Sequence, residues 1–252
     1  MDHLLPAELV EKYPMIDRES ILDAVELATI KVMEQIHRMP AGAVVDEEAG
    51  TIWVTLYGDS NFTQVDLSTL KRKSMRRLLD QIELELMKRQ TVAEAHYYHT
   101  LTRTAISGQV IGKHKNNLLV ELEVIDGLKH LSINAVCPPS HQTTRDYFRG
   151  LYKVGKIMTF YALSARPVEN GRRSWVNVTV SRKARELPSR MLASLTGLPG
   201  IRCLERVPGH TSRIITRHPV PKSAINTVGK ELIETLLVTC PGYEKPFFRS
   251  AA

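Results

Sequence analysis

TAISGQVIG (Thr104–Gly112), NLLVELEV (Asn117–Val124), LKHLSINAV (Leu128–Val136), KIMTFYAL (Lys156–Leu163) and SWVNVTV (Ser174–Val180) are five short runs, apolar or β-branched at alternate positions. Asn116-Asn117, Asp126-Gly127, Pro138-Pro139 and Asn170-Gly171 follow them, and each pair favours a turn for a definite dihedral reason. Five strands without an internal helical period predict a small closed barrel over Thr104 to Arg182. Barrels of this size commonly hold single-stranded nucleic acid across one face, and they also serve as plain structural modules.

The chain around this stretch has 252 residues, enough for two or three compact units, and is 43% apolar and 24% charged, as ordinary globular proteins are. No apolar run is long enough to span a membrane. Met1-Asp2-His3-Leu4-Leu5-Pro6 has neither the basic start nor the long apolar core of a secretory signal, which predicts a cytoplasmic protein. Cys137, Cys203 and Cys240 are odd in number and far apart, which suits a reducing compartment, and no Cys/His spacing resembles a zinc site. Charge is distributed unevenly. Gly171 to Ala252 holds fourteen Lys or Arg against five Asp or Glu, a net +9, whereas residues 1 to 170 hold twenty against twenty-two. A basic last third fits a polyanionic partner, or simply a well-solvated surface.

Before the barrel, Asp17-Arg18-Glu19-Ser20 begins a helix whose apolar positions Ile21, Leu22, Val25, Ala28, Val32, Met33 and Ile36 recur at steps of three and four. Met39-Pro40-Ala41-Gly42 ends it. Ala43–Asp46 and Thr51–Tyr57 flank the turn Glu47-Glu48-Ala49-Gly50 as a hairpin, and Tyr57-Gly58-Asp59-Ser60-Asn61 closes the unit. Ser68 to His96 lacks Pro and Gly and reads as one helix of roughly 40 Å, a strut between this unit and the barrel. Its first turns carry Lys71, Arg72, Lys73, Arg76 and Arg77, the unfavourable sign at a helix start, which a nearby phosphate backbone would offset.

After the barrel, Lys183, Arg185 and Arg190 lead into a helix that carries Pro188 near its first turn and ends near Leu195-Thr196-Gly197. Strands are predicted at Ile201–Val207 and Arg213–Arg217, a helix at Ser223–Leu237 and a last strand at Val238–Cys240. The expected fold class is therefore multidomain α+β, with residues 1–100 as the first domain and its connector helix, 101–182 as the barrel, 183–242 as a small α+β domain and 243–252 as a tail that holds Phe247, Phe248 and Arg249.

This order of parts resembles the bacterial transcription elongation factor NusA family, from its polymerase-binding domain through its S-one-type OB barrel into its first KH domain. The likeness rests on Asp17–Ile36 with the following hairpin, on Ile106-Ser107-Gly108-Gln109-Val110 after the long helix, and on later strings in the family's order. These are Asn134-Ala135-Val136-Cys137-Pro138-Pro139, Tyr152-Lys153-Val154-Gly155-Lys156-Ile157, Ala165-Arg166-Pro167, Val180-Ser181-Arg182 and Val207-Pro208-Gly209-His210-Thr211-Ser212-Arg213. One departure is plain. A KH domain clamps RNA with a Gly-x-x-Gly loop between two helices, and this sequence has none in place. Its one literal match, Gly197-Leu198-Pro199-Gly200, precedes the strands and reads as a helix stop. With no second KH domain and no acidic extension, the likeness is to a shortened paralogue.

The resemblance implies a non-enzymatic factor with two partners, RNA polymerase and nascent single-stranded RNA, and with room for other transcription factors, acting on pausing, termination or antitermination without cofactor or metal. The polymerase surface it implies is the outer face of the first helix, with Asp17, Glu19, Asp23, Glu26, Ile30 and Glu34. The RNA-binding candidates are the five cations of the long helix, then Lys113, His114, Lys115, Phe148, Arg166, Arg182, Lys183, Arg185, Arg202, Arg206, Arg213, Arg217 and Lys222. His130 joins them only if Gly127-Leu128-Lys129-His130-Leu131-Ser132, rather than Asn134–Pro139, is the family's strand. Tyr152 and Tyr161 either stack bases or fill the barrel. No phosphate-cradling loop, zinc-protease helix or nucleophile elbow is present, which argues against an enzyme. A stand-alone RNA-binding protein of translation, decay or packaging, and an adaptor whose last domain binds protein, stay open beside the transcription reading.

Overall fold

The computed structural model describes residues 11–46, 48–126 and 129–241. The predicted tail, Glu47 of the first hairpin turn, and Gly127 and Leu128 of the barrel lie outside the described residues. The chain divides into two compact units, Met1–Tyr97 with Arg166–Val176, and Tyr98–Ala165 with Asn177–Ala252.

In the first unit, α1 (Arg18–His37) starts where the Asp17 carboxylate accepts the Ser20 amide at 2.8 Å and stops where Arg38 turns left-handed, φ 56°. Ile21, Val25, Ala28, Val32 and Met33 are its buried stripe. They meet Ile52, Val54 and Leu56 of a three-stranded antiparallel sheet, β1 (Ala41–Asp46), β2 (Thr51–Tyr57) and β3 (Phe62–Val65). The sequence reading closed this unit before β3, a strand of four residues with too short an alternation to stand out. The helix α2 (Arg72–Thr100) supplies Leu78, Ile82 and Leu86 to the same core. It begins four residues later than expected because Asp66 first caps a 3-10 turn at Leu67–Thr69, after which Leu70 is extended. Glu85 on α2 is buried. Burial alone would raise its pKa, but the Lys31 ammonium at 2.8 Å, aided by Lys88, holds it below the usual carboxylate range.

The second unit contains most of the predicted barrel, Arg166–Val176 being counted with the first. Strands β4 (Ala105–His114), β5 (Asn117–Asp126), β6 (Lys129–Cys137), β7 (Ile157–Asn170) and β8 (Arg173–Ser181) close in the order β4-β5-β6-β8-β7, an arrangement compatible with an OB-like fold. β6 and β8 pair in parallel, while β4 pairs antiparallel with both β5 and β7. Alternation sends Leu118, Val120, Leu122 and Val124 inward. Gly108 lets the sheet close over them, since a Cβ there would lie 2.7 Å from Val120 Cγ1 and 2.8 Å from Leu122 Cδ2. The β4–β5 turn is Lys115-Asn116, one residue earlier than the predicted pair, with φ 47° and 67° as a two-residue hairpin requires.

Between β6 and β7 a short helix, α3 (Thr144–Phe148), sits on the Thr143 cap. Beyond the barrel come α4 (Leu187–Thr196), β9 (Arg202–Val207), β10 (Thr211–Ile215), α5 (Lys222–Leu232) and β11 (Thr235–Thr239). The sheet order is β11-β10-β9, with β10 parallel to β11 and antiparallel to β9. The predicted helix to Leu237 is cut short by Ile233, a β-branched residue held at φ 57°, so Leu236 belongs to β11 and is buried there. Leu187, Leu192, Ile214, Val228 and Leu236 share one core with barrel residue Tyr161.

A buried cation also joins barrel and α+β part. Arg182 donates to Asp146 Oδ2 (3.0 Å), the Thr159 carbonyl (2.7 Å) and the Glu231 carbonyl (3.2 Å), and the Glu231 carboxylate accepts the Thr159 amide at 2.8 Å. The Tyr152 hydroxyl donates to the same Asp146 oxygen and accepts the Thr143 amide at 2.8 Å. Burial, reinforced by the Asp146 charge, pushes the Tyr152 phenol well above its ordinary pKa and keeps it a donor.

The three cysteines are buried and unbridged, with burial pushing Cys137 up to about 12 and Cys203 to about 11. Among the described residues no helix is long and apolar enough to cross a membrane. Two outcomes follow from this packing. Arg182→Met leaves the Asp146 carboxylate buried without its cation and lowers the unfolding free energy by about 3–5 kcal/mol, read as a shift of the urea midpoint, and adding Asp146→Leu recovers part of it. Cys137 and Cys203 stay unlabelled by a thiolate-selective reagent at pH 8 in the native chain and react once it is denatured.

Candidate nucleic-acid interface

In the first unit, Lys71, Arg72, Lys73 and Arg76 are exposed around the start of α2, and Arg77 donates to Gln35. No acidic residue lies in the first turn of α2, so the clustered cations face the helix dipole without local compensation. Most of the expected polymerase surface on α1 is used within the unit. Asp17 caps the helix, Asp23 faces Arg89 at 3.5 Å, and Ile30 packs on the core. Glu26 and Glu34 accept the amides of Val45 and Ala41 on edge strand β1. Glu19 is exposed.

In the second unit, Lys113, His114 and Lys115 are exposed at the β4–β5 hairpin. The outer face of β5 and β6, where nucleic acid is received by many such barrels, instead carries Glu121 opposite Asn134 and Glu123 opposite Ser132. Ser132 donates to Glu121. Two carboxylates make this a poor surface for phosphate. His130 is exposed near its end, opposite Ile125. Tyr152 and Tyr161 are both buried, which leaves them as core residues. Phe148 is 80% exposed, as the stacking expectation requires, and beside it Tyr147, which sequence reasoning missed, is 62% exposed. Their rings meet edge to face, centroids 5.9 Å apart. Arg166 is exposed within the Arg166–Val176 segment of the first unit.

Two of the arginines expected to hold phosphates are placed otherwise. The Arg182 side chain is 1% exposed and fixed by the network above. Arg206 is equally buried, its Nη2 2.7 Å from Glu234 Oε1 and its Nη1 on the Ala184 carbonyl. Glu234 in turn accepts the Gly209 amide (2.9 Å) and the Ser212 hydroxyl (2.7 Å). Neither guanidinium can meet a phosphate without abandoning a buried carboxylate. Glu234, a lone charge in the apolar run Leu232 to Leu236, was the sequence signal that some basic residue had to be buried with it.

The remaining arginines converge. Arg185, Arg190 and Arg202, with Glu186, Gly200, Ile201, Cys203 and Leu204, line a concavity of about 510 Å³ between α4 and β9. Gly200 and Arg202 also belong to an adjoining one of about 460 Å³, lined further by Ile215, Thr216, Arg217 and Pro241. Arg185 faces Glu186 at 2.9 Å, whereas Arg190, Arg202 and Arg217 are exposed and have no ion-pair partner among the described residues. Gly197, at φ 67°, caps α4 as the sequence reading expected, while Gly200 of the same string opens onto both concavities. Arg213 is exposed but faces Glu205 at 3.4 Å, Lys183 is half-buried, and Lys222 is exposed at the start of α5. Sequence spacing could not foretell the groove, because Arg185 and Arg190 come from a helix start, Arg202 from a strand and Arg217 from the segment after β10.

No protein-family model matches the chain, and no curated protein is significantly similar to it.

The two classes of arginine separate experimentally. Arg202→Gln and Arg217→Gln each release the protein from a heparin column at lower salt while changing stability by no more than about 0.5 kcal/mol. Arg206→Gln strands Glu234 and costs about 3–5 kcal/mol in urea unfolding.

Proposed function

We propose that this chain is a NusA-like transcription factor that binds RNA polymerase through its first unit and nascent single-stranded RNA through its second. The observation that carries the RNA half is the groove between α4 and β9 with its adjoining concavity, where Arg190 and Arg202 in the first and Arg217 in the second are exposed and have no ion-pair partner among the described residues. Guanidiniums without carboxylates are the groups that gain most from phosphate, by counterion release and by paired hydrogen bonds. Further support comes from the succession of parts: a helix and sheet unit, a 29-residue helix, a closed five-stranded barrel and an α+β part with parallel β10 and β11. The polymerase half rests on the family resemblance, and Glu19 is an exposed acidic residue of α1 that takes part in none of the contacts described above.

The chemistry is positional. Arginines hold the backbone, which gives salt-sensitive and weakly sequence-selective binding, and no bond is made or broken. A second reading, an adaptor whose last part binds protein, is favoured by one feature: a single helix, α5, lies between β10 and β11, leaving no interhelical loop to clamp RNA.

Titration of a labelled single-stranded RNA at 50 and 200 mM salt distinguishes them. The RNA reading expects affinity to fall with a log–log slope of about −0.7 for each phosphate neutralised, and an absence of binding at 50 mM rejects it in favour of the adaptor. Purified polymerase retained by the intact chain but weakly by Glu19→Lys is the expected result for the first unit. Equal retention of both would reject that surface.

A further inference from the structure

β9 is an edge strand, paired on one side by β10 and open on the other. At its first residue lies the arginine groove, with Arg202 shared by both concavities. Along it Leu204 and Val207 are exposed. At its far end the chain turns through Pro208-Gly209, and Gly209 packs directly on α3: its carbonyl accepts from Arg145, and a Cβ there would lie 2.8 Å from Arg145 Cβ. Arg145 precedes Tyr147 and Phe148 in one short helix, so the exposed ring pair is carried on the helix that meets the chain just past the end of β9 opposite to the arginines. From Arg202 to Val207 the strand runs roughly 17 Å, at about 3.3 Å per residue.

From this placement we infer that single-stranded nucleic acid lies along the β9 edge, its phosphates in the groove of Arg185, Arg190, Arg202 and Arg217 and a base stacked on Tyr147 and Phe148. The inference rests on the RNA reading above and assigns it a path and a polarity of contacts. The two ends differ in what they offer, at one the cations Arg190, Arg202 and Arg217 with no carboxylate partner among the described residues, at the other exposed aromatic rings, and a nucleotide chain presents the complement of both. Arg149, exposed next to Phe148, adds a cation beside the rings. A duplex does not fit, because its bases are already stacked and cannot reach a ring outside the helix. The path also avoids the carboxylate-bearing outer face of β5 and β6.

The test uses the intact chain with two fluorescein-labelled 12-mers, oligouridylate and an abasic ribose-phosphate chain, by anisotropy at two salt concentrations. Phe148→Ala is expected to weaken oligouridylate by about five- to a hundredfold and to leave the abasic chain nearly unchanged. Arg202→Gln weakens both and flattens the salt slope by about 0.7. At 80% exposure Phe148 is not needed for folding, and an unchanged thermal transition checks this. If Phe148→Ala affects both oligomers equally, or neither, while the parent chain binds oligouridylate, the stacking end is overturned and the RNA reading survives. If poly-glutamate displaces oligouridylate at equal charge concentration and Phe148→Ala has no effect, the groove belongs to an acidic protein and the path is overturned. Failure of the parent chain to bind either oligomer at low salt overturns both this path and the RNA reading.

Discussion

The Arg182 guanidinium finds its acceptors on α3, β7 and α5, three elements brought together at the junction of the barrel and the α+β part. A charge that is 1% exposed has given up nearly all its hydration, and the Asp146 carboxylate with the two carbonyls replaces it. Such a pair adds little net stability compared with apolar side chains of the same shape, but it tolerates no other arrangement, because any shift leaves a buried ion alone. It therefore fixes register between the parts more than it holds them together. The holding comes from the shared apolar core around Tyr161, Leu187, Ile214 and Leu236.

Arg206 and Glu234 repeat the device within the α+β part. The Glu234 carboxylate gathers the Arg206 guanidinium, the Gly209 amide and the Ser212 hydroxyl, so the β9–β10 turn is held at both chain directions. Ile233, forced to positive φ just before it, is the local strain that accompanies this placement. These two buried pairs use arginines that the charge count alone would credit to the surface. The cations left over act together only where they line one concavity, since a Debye length of about 8 Å at physiological salt isolates more distant ones.

In the first unit the same economy of carboxylates appears in a different form. Edge strand β1 presents amides with no strand beside them, and Glu26 and Glu34 of α1 supply two of the missing acceptors. The helix face that the family resemblance marks for polymerase is thus partly committed to its own sheet. On the opposite side of that sheet Trp53, Tyr57 and Phe62 are exposed, a concentration of aromatic surface beyond the scattered single residues that need no explanation.

Local pattern was enough for most of the element types. Alternation with turn pairs located all five barrel strands, periods of three and four located α1 and α2, and Pro188 with the stop at Gly197 located α4, because these signals depend on residues near in sequence. It failed at β3 and at the end of α5, where the run was too short or where an apolar stretch without Gly or Pro suits helix and strand alike. The closing of β7 onto β4, the burial of Arg182 with Asp146, 36 residues away, and of Arg206 with Glu234, 28 residues away, were decided only in three dimensions. Coulomb attraction and desolvation act through space, so which arginines are spent on internal carboxylates, and which remain to face a ligand, is a property of the folded chain and not of its composition.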